Sequence, residues 1–249
     1  MTPRALLELF DETAGAVRAA VARTDRVDLR RRTDRPGQYA LDLAADEAAL
    51  AVLHRAPVLV VSEESGESGA PDAAVTVVLD PVDGSTNCAR RLSYWATSIA
   101  ALDGDGLIAG YVVNHATGEV TTAVRGEGTT RDGAPARASG IEEITDAVVA
   151  IGNYPAERLH WKQFRAFGCA ALTLCDIAAG NLDAYFDTGS HLAPWDYLAG
   201  VLACREAGAV VVDGRGEELV TAELEARRQI LAAATPALLD AIKPAGGVQ

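Results

Sequence analysis

The sequence predicts a mixed α/β or α+β fold, in one domain or in two closely packed subdomains. Short β-branched segments alternate with amphipathic segments and no internal repeat is present, which is typical of layered helices and strands. The chain has 249 residues, of which 49% are hydrophobic and 23% are charged, so it is long enough to bury a large core. We expect a single domain over residues 1–249, with subdomains of about 1–140 and 141–249.

The first half of the chain contains two segments with apolar residues at helical spacing. They predict helices over residues 5–21 and 41–54, joined by a basic, mobile loop at 26–38. Runs of β-branched residues then predict strands, with a loop at 65–72. The expected strands are 58–61, 75–79, 97–102, 107–113, 119–124 and 147–151, of which 97–102, 107–113 and 119–124 form an antiparallel set.

The second half alternates more evenly between the two kinds of element. The expected helices are 157–167, 170–179, 195–207 and 236–242, and the expected strands are 182–186, 210–212 and 229–233.

Charge and cysteine content limit the classes of function. The net charge of −13 argues against a nucleic-acid-binding protein. Four cysteines without a CxxC pair predict free thiols, buried in the case of Cys88, Cys169 and Cys204. The chain has no run of about 18 apolar residues and no apolar signal-peptide core, so we expect a cytoplasmic protein without a membrane partner.

The segment Asp80-Pro81-Val82-Asp83-Gly84-Ser85-Thr86-Asn87 follows a predicted buried strand. Its two carboxylates are hard oxygen ligands suited to Mg²⁺ or Mn²⁺. Its Gly-Ser-Thr portion is able to open a helix whose free backbone N–H groups bind phosphate. A metal and a phosphate site in one turn indicate phosphoryl chemistry, although an ordinary Asp-capped turn has the same residue types.

Two further acidic positions favour the metal hypothesis. Glu63-Glu64 end another apolar run, and Asp196 opens a helical stretch far downstream. Carboxylates at the ends of several elements are what a site for more than one metal ion requires. No histidine pair with metal spacing and no nucleophile elbow is present, which argues against a Ser-His-Asp hydrolase.

These motifs together resemble those of the inositol monophosphatase family. Residues 80–87 resemble its DPxDGTTN signature, 195–200 its WDxAAG signature and 62–65 its GEES segment. Residues 165–171 and 181–187 are similar to its RxxG(S/T)AA stretch and the strand that follows. The resemblance runs in the same order from about residue 46 to 208, and it implies a layered αβαβα sandwich.

The resemblance implies a phosphomonoesterase with two or three Mg²⁺ ions, for which Mn²⁺ is an alternative. Its metal ligands would be Glu64, Asp80, the Val82 carbonyl, Asp83 and Asp196. Ser85 stands where the family usually has Thr. With Glu64, and through a hydrogen bond to Asp46, its hydroxyl would orient and deprotonate the attacking water.

The substrate, a small-molecule phosphate ester, would lie on both sides of this turn. Gly84, Ser85 and Thr86 would donate N–H groups to its phosphate, next to Asp83 and Asp196. The residues expected to line the leaving-group pocket are Gly168, Cys169, Ala170 and Asp187. Asp187 replaces a family Glu that binds substrate hydroxyls, so the identity of the substrate is left open. Arg35 replaces a Lys in the loop of the third metal, so the presence of a third metal ion is left open as well.

Several functions fit this scaffold. Inositol monophosphatase is the first expectation, and the alternatives are fructose-1,6-bisphosphatase, histidinol-phosphatase, nucleotide 3′-phosphatase or a phosphatase of secondary metabolism. A catalytically silent binding protein is the alternative of another class. We also expect a homodimer, because Leu92, Tyr94 and Trp95 follow Arg90 and Arg91 in a mixture typical of interfaces.

Overall fold

Two β-sheets with a pair of helices between them form the body of the protein. The computed structural model describes residues 1–25, 27–155 and 159–244. Further helices cover the outer face of each sheet, so the layers follow the order helix, sheet, helix, sheet, helix. This arrangement confirms the mixed α/β fold and the αβαβα sandwich.

The first sheet has eight strands. They are β1 (Leu59–Ser62), β2 (Gly66–Gly69), β3 (Thr76–Asp83), β4 (Ala96–Asp103), β5 (Gly106–Asn114), β6 (Val120–Val124), β7 (Gly128–Arg131) and β8 (Ala134–Ala136). Their order in space is β2-β1-β3-β4-β5-β6-β7-β8. Among the described strands of this sheet, only β1 and β3 pair in parallel. Residues that follow β1 therefore lie beside the end of β3.

The second sheet has five strands. They are β9 (Val148–Ile151), β10 (Gln163–Arg165), β11 (Ala184–Phe186), β12 (Val210–Asp213) and β13 (Ile230–Ala233). Their order is β10-β9-β11-β13-β12, with β9 parallel to both of its neighbours. The residues after β9 and β11 therefore reach the same edge of this sheet.

Within the described ranges, six α-helices complete the layers. They are α1 (Pro3–Arg23), α2 (Ala40–Leu53), α3 (Ser85–Arg90), α4 (Ala170–Ala178), α5 (Pro194–Glu206) and α6 (Pro236–Ile242), and short 3₁₀ helices lie at Asp28–Arg30 and Ile144–Asp146. Phe10 of α1 shares a buried cluster with Leu79 of β3, whereas Val78 shares another with Leu198 of α5. Alternate residues of a strand point to opposite faces, so β3 faces a helical layer on each side.

Helix α5 packs closely against α4 and β5 because a glycine lies at each contact, Gly200 on α5 and Gly110 on β5. A Cβ on Gly200 would lie 2.5 Å from Leu174 Cβ of α4, and a Cβ on Gly110 of β5 would lie 3.0 Å from the Ala199 carbonyl oxygen. Larger residues would push α5 away. These contacts fix the helix that carries Asp196.

Most predicted elements are confirmed, and the helix ends agree within two residues for α1, α2, α4, α5 and α6. The helix predicted at 157–167 is wrong in its described part, which contains β10 instead. Trp161 and Phe164 contact each other, and β10 pairs with β9, so tertiary pairing decides the conformation. Residues 157 and 158 lie outside the described residues.

Short polar strands also escaped prediction. Strand β2 lies inside the loop predicted at 65–72, and β7 and β8 follow β6 as further hairpin strands. They lack a long β-branched run, and β2 and β8 are partly exposed, so periodicity gives no signal for them. The loop predicted at 26–38 contains the 3₁₀ helix Asp28–Arg30, and residue 26 lies outside the described residues.

Candidate active site

The candidate site lies where β3 ends. The ladder between β3 and β4 shifts register between Asp80 and Asp83, so the regular pairing is interrupted between the two aspartates. Gly84 then adopts φ +82°, and α3 begins at Ser85. This left-handed conformation suits glycine, because it turns the chain sharply without steric cost. The predicted sequence of strand, turn and helix is present.

Three carboxylates from three elements meet beside this turn. Oxygens of Glu63, Asp80 and Asp196 lie within 4.8 Å of one another. Glu63 is brought there by the parallel pairing of β1 and β3, since its backbone N–H donates to the Leu79 carbonyl at 3.1 Å. Asp196 stands in the first turn of α5, where it accepts a hydrogen bond from the Ala193 backbone N–H at 2.6 Å.

Burial raises the free energy of these carboxylates when they are ionised and no cation is bound. Burial, followed by repulsion from Glu63, raises the pKa of Asp80 and of Asp196 well above its usual value. The same causes, burial first and then repulsion from Glu64, raise the pKa of Glu63 to about 7. A divalent cation would remove both penalties. The all-oxygen donor set therefore fits Mg²⁺ or Mn²⁺.

Asp83 joins the strand end to helix α4. Its Oδ2 accepts hydrogen bonds from the Cys169 thiol at 3.0 Å and from the Ala171 backbone N–H at 2.7 Å. Burial raises the pKa of Asp83 to about 6, although these hydrogen bonds act in the opposite direction. Asp83 is thus held in place at the boundary between the carboxylate cluster and the neighbouring pocket.

The structure gives the two neighbouring glutamates different surroundings. Glu64 Oε2 accepts a hydrogen bond from the Gln38 side chain and pairs with Arg35 Nη1 at 3.4 Å, both on the loop before α2. The carboxylate that meets Asp80 belongs to Glu63, which the sequence places in the acidic pair Glu63-Glu64 but which was not among the predicted metal ligands. Both glutamates lie in the turn between β1 and β2, where the Glu63 side chain faces the cluster and the Glu64 side chain faces the loop before α2. A ligand role for Glu64 stays a prediction.

Ser85 and Asp46 are predicted to share a hydrogen bond, but the bonds found beside them involve other groups. Asp46 is buried, and its Oδ1 accepts a hydrogen bond from the Ser62 hydroxyl at 2.5 Å. Thr86, in the first turn of α3, exchanges a hydrogen bond of 3.2 Å with the Tyr39 hydroxyl. The pairing of Ser85 with Asp46 and the coordination by the Val82 carbonyl stay predictions.

A cavity of about 190 Å³ opens beside Asp83. Its lining includes the four residues that the sequence analysis expected around the leaving group, Gly168, Cys169, Ala170 and Asp187. Asp187 is 2% exposed, and its Oδ1 accepts a hydrogen bond from the Asn153 side chain at 2.9 Å. Asn153 escaped the sequence analysis, because it follows β9 and lies far from Asp187 in the chain.

The tyrosine and tryptophan expected at a dimer interface pack within the chain. Tyr94 stacks on Phe167 with ring centroids 4.3 Å apart, and Trp95 stacks on His115. Leu92 is 53% exposed. Dimerisation through this segment therefore stays a prediction that depends on Leu92 and the arginines before it.

Other expectations concern the whole chain. All four cysteines are free and buried. No helix in the described part of the chain has the length and apolar character needed to span a membrane.

Comparison with known proteins gives consistent matches. The model of the inositol monophosphatase family matches residues 8–245. A curated relative from Archaeoglobus fulgidus, named fructose-1,6-bisphosphatase/inositol-1-monophosphatase, is 36% identical over 98% of this chain and 100% of its own length. The Nus factor SuhB of Escherichia coli is 35% identical over 63% of each chain.

Solved structures agree with the observed fold. A Pyrococcus horikoshii protein, described as having similarities to inositol-1 monophosphatase, superimposes with a TM-score of 0.83 at 24% identity. The superposition covers 97% of this chain and 96% of the other. The shared architecture extends over nearly the whole molecule.

Proposed function

This chain belongs to the inositol monophosphatase family, and on that premise we propose that it is a phosphatase that depends on Mg²⁺ or Mn²⁺ and hydrolyses the phosphate monoester of a small polyol or sugar. The observation that carries the proposal is the meeting of Glu63, Asp80 and Asp196 within 4.8 Å beside the turn at Gly84. Three carboxylates this close together, of which Asp80 is buried and the other two are half-buried, are expected where a cation binds.

The residues that would hold the metal are Glu63, Asp80 and Asp196, with Asp83 and the Val82 carbonyl as further candidates. When bound, such an ion would neutralise phosphate oxygens, lower the pKa of a neighbouring water and stabilise the departing alkoxide. The chain contributes the placement of these oxygens through β1, β3 and α5. The hydrogen bonds on Asp83 and Asp196 keep both side chains in one orientation.

Proton transfer and phosphate binding are assigned to the turn. The Ser85 hydroxyl would orient the attacking water and accept a proton from it, while the hydroxyl's own proton would pass to the buried carboxylate of Asp46. The backbone N–H groups of Gly84, Ser85 and Thr86 would bind phosphate oxygens. In this scheme Glu64 is a positioning residue, since it holds the loop before α2 through Gln38 and Arg35.

The leaving group would occupy the cavity that contains Asp187. Its volume of about 190 Å³ lies below the range of roughly 300–1,000 Å³ for drug-sized ligands, so it suits a small alcohol. Asp187, held by Asn153, offers an acceptor for substrate hydroxyls. The Archaeoglobus relative is named for both fructose 1,6-bisphosphate and inositol 1-phosphate hydrolysis, and we propose both as substrates to be tried first.

The experiment that tests this function is an assay of released phosphate with Mg²⁺ over a panel of esters. We expect turnover of inositol 1-phosphate or a sugar phosphate to exceed that of phosphoserine, which lacks a polyol. The panel includes fructose 1,6-bisphosphate, histidinol phosphate and a nucleotide 3′-phosphate. If no ester is hydrolysed, the alternative is a binding protein, for which the name of the SuhB relative as a Nus factor gives a precedent.

We further propose that the protein forms homodimers through the segment that contains Arg91 and Leu92. The exposure of Leu92 supports this. The double variant Arg91→Glu/Leu92→Ala is expected to change a dimer to a monomer in light scattering. A parent protein that is already monomeric at micromolar concentration would contradict the proposal.

A further inference from the structure

Arginines gather on one surface of a protein that is otherwise acidic. The net charge is −13, yet Arg30 and Arg32, before α2, lie beside Arg90 at the end of α3. Together with Tyr39 and Ala89 these three arginines line a cavity of about 160 Å³, here named the arginine pocket. A second recess, which adds Leu29 and Arg91, adjoins it and shares Arg30 and Ala89.

Two of the guanidinium groups are held in fixed positions. Arg30 Nε donates a hydrogen bond to the Ala89 carbonyl at 3.3 Å. Arg32 Nη2 donates to the Tyr39 hydroxyl at 3.1 Å, and its guanidinium lies 4.6 Å from the centroid of the Tyr39 ring. Tyr39 and Ala89 are both at most 5% exposed, so the residues that these arginines contact are buried and well packed. A ligand would therefore bind to groups that are already oriented.

These arginines also lack acidic partners. Arg31 pairs with Asp28 and Arg35 with Glu64, on the same loop. By contrast, no carboxylate in the described ranges lies within 4.0 Å of Arg30, Arg32 or Arg90. In a chain with 35 acidic and 22 basic residues, three adjacent arginines without a carboxylate leave a concentrated positive field.

The arginine pocket is connected to the candidate active site through one side chain. The Tyr39 hydroxyl contacts Arg32 on one side and the Thr86 hydroxyl, 3.2 Å away, on the other. Thr86 belongs to the turn that would bind the phosphate to be hydrolysed. The leaving-group cavity at Asp187 has no residue in common with the arginine pocket.

We propose that the arginine pocket binds a phosphate group other than the one that is hydrolysed. Planar guanidinium groups match the oxygens of a phosphate with paired hydrogen bonds, and several together favour a dianion over a single carboxylate. The phosphate belongs either to a second position of a larger substrate or to a separate phosphate compound. Only the first source rests on the proposed function, since binding itself requires no turnover.

The test is calorimetric titration of inorganic phosphate into the full-length protein in the presence of EDTA. Without a divalent metal, the acidic cluster at Asp80 repels phosphate, so binding reports the arginine pocket. We expect measurable binding that weakens at least tenfold in Arg30→Gln/Arg90→Gln. The control variant Arg4→Gln/Arg137→Gln makes the same change of net charge on other surfaces and should bind like the parent. Circular dichroism checks that each variant is folded.

Steady-state kinetics with Mg²⁺ then distinguish the two sources. If the second phosphate belongs to the substrate, Arg30→Gln/Arg90→Gln raises the KM for a sugar bisphosphate and leaves that of the monophosphate unchanged. If it belongs to a separate compound, both KM values stay unchanged and the response of the rate to added inorganic phosphate is lost.

Two results would overturn the proposal. One is that the parent does not bind phosphate in EDTA, or that the parent and the double variant bind it with equal affinity. The other is an arginine-dependent affinity for a single-stranded oligoribonucleotide without affinity for inorganic phosphate, which would make this surface a site for a polyanion.

Discussion

The Cys169 thiol donates a hydrogen bond of 3.0 Å to Asp83 Oδ2 and, together with the Ala171 backbone N–H, joins the start of α4 to the end of β3 beside the leaving-group cavity. In the RxxG(S/T)AA stretch that residues 165–171 resemble, the position of Cys169 is Ser or Thr. A thiol is a weaker donor than a hydroxyl, yet it occupies similar space and keeps the bond. Cys169 is therefore expected to act as a positioning residue for Asp83.

Replacement of Cys169 should separate the hydrogen bond from the volume of the side chain. Cys169→Ser keeps a donor and should retain kcat within a few-fold. Cys169→Ala removes it at a cost of about 1 kcal/mol and raises the pKa of Asp83, which the thiol lowers. The acid limb of the kcat/KM profile should then move to higher pH in Cys169→Ala only. Identical profiles for the two variants would contradict this role.

The two neighbouring glutamates should respond differently to loss of charge. Glu63→Gln removes a carboxylate from the cluster and is expected to lower kcat by more than about 100-fold, because partners outside the ligand shell already cost roughly 10- to 100-fold. Glu64→Gln, the matched control one residue away, removes the anchor of the loop and should lower activity less. Phosphate release measured at saturating Mg²⁺ checks both. A greater loss in Glu64→Gln would restore the ligand role that the sequence predicts for Glu64.

This pair illustrates what the sequence determines. The motif 80–87, Asp196 and the layered fold follow from residue types, order and resemblance. The direction of each side chain in the turn after β1 decides which of the two adjacent glutamates faces the cluster. This direction cannot be predicted from the sequence. Asn153 and the arginine pocket depend on contacts between residues far apart in the chain, such as Arg30 with Ala89, and carry no local signal.

The buried carboxylates should make the metal-free protein less stable as pH rises. Glu63 and Asp83 have pKa values of about 7 and about 6 in the folded state, above their values of 4.5 and 3.8 when exposed. The folded state therefore binds more protons in this window, and the free energy of unfolding falls as pH rises through it. Mg²⁺ should reverse the fall, since it binds the ionised form.

Urea unfolding at about pH 5 and about pH 8, with EDTA or Mg²⁺, measures this effect. His115 acts in the opposite direction, because burial lowers its pKa from 6.5 to about 4 and stability from this group is lost as pH falls through that range. The difference between EDTA and Mg²⁺ isolates the carboxylates. If Mg²⁺ raised the free energy of unfolding by the same amount at both pH values, the role assigned to the carboxylates would be contradicted.

The cavity at Asp187 should determine which alcohol is accepted. Asn153→Ala leaves the Asp187 carboxylate without its amide donor, and the expected result is a several-fold rise in KM for polyol phosphates. Hydrolysis of p-nitrophenyl phosphate, which offers no hydroxyls, is the internal control and should change little. An equal rise for both esters would mean that Asn153 supports the fold of the pocket and not the recognition of hydroxyls.

The central claim is that Glu63, Asp80 and Asp196 bind the divalent metal on which the reaction depends. The most direct measurement follows phosphate release from inositol 1-phosphate and fructose 1,6-bisphosphate before and after EDTA, with Mg²⁺ then restored in excess, in the parent and in Asp80→Asn. We expect activity that EDTA abolishes and Mg²⁺ restores in the parent, and no Mg²⁺-dependent activity in Asp80→Asn. A rate that is equal with EDTA and with Mg²⁺ would contradict the claim.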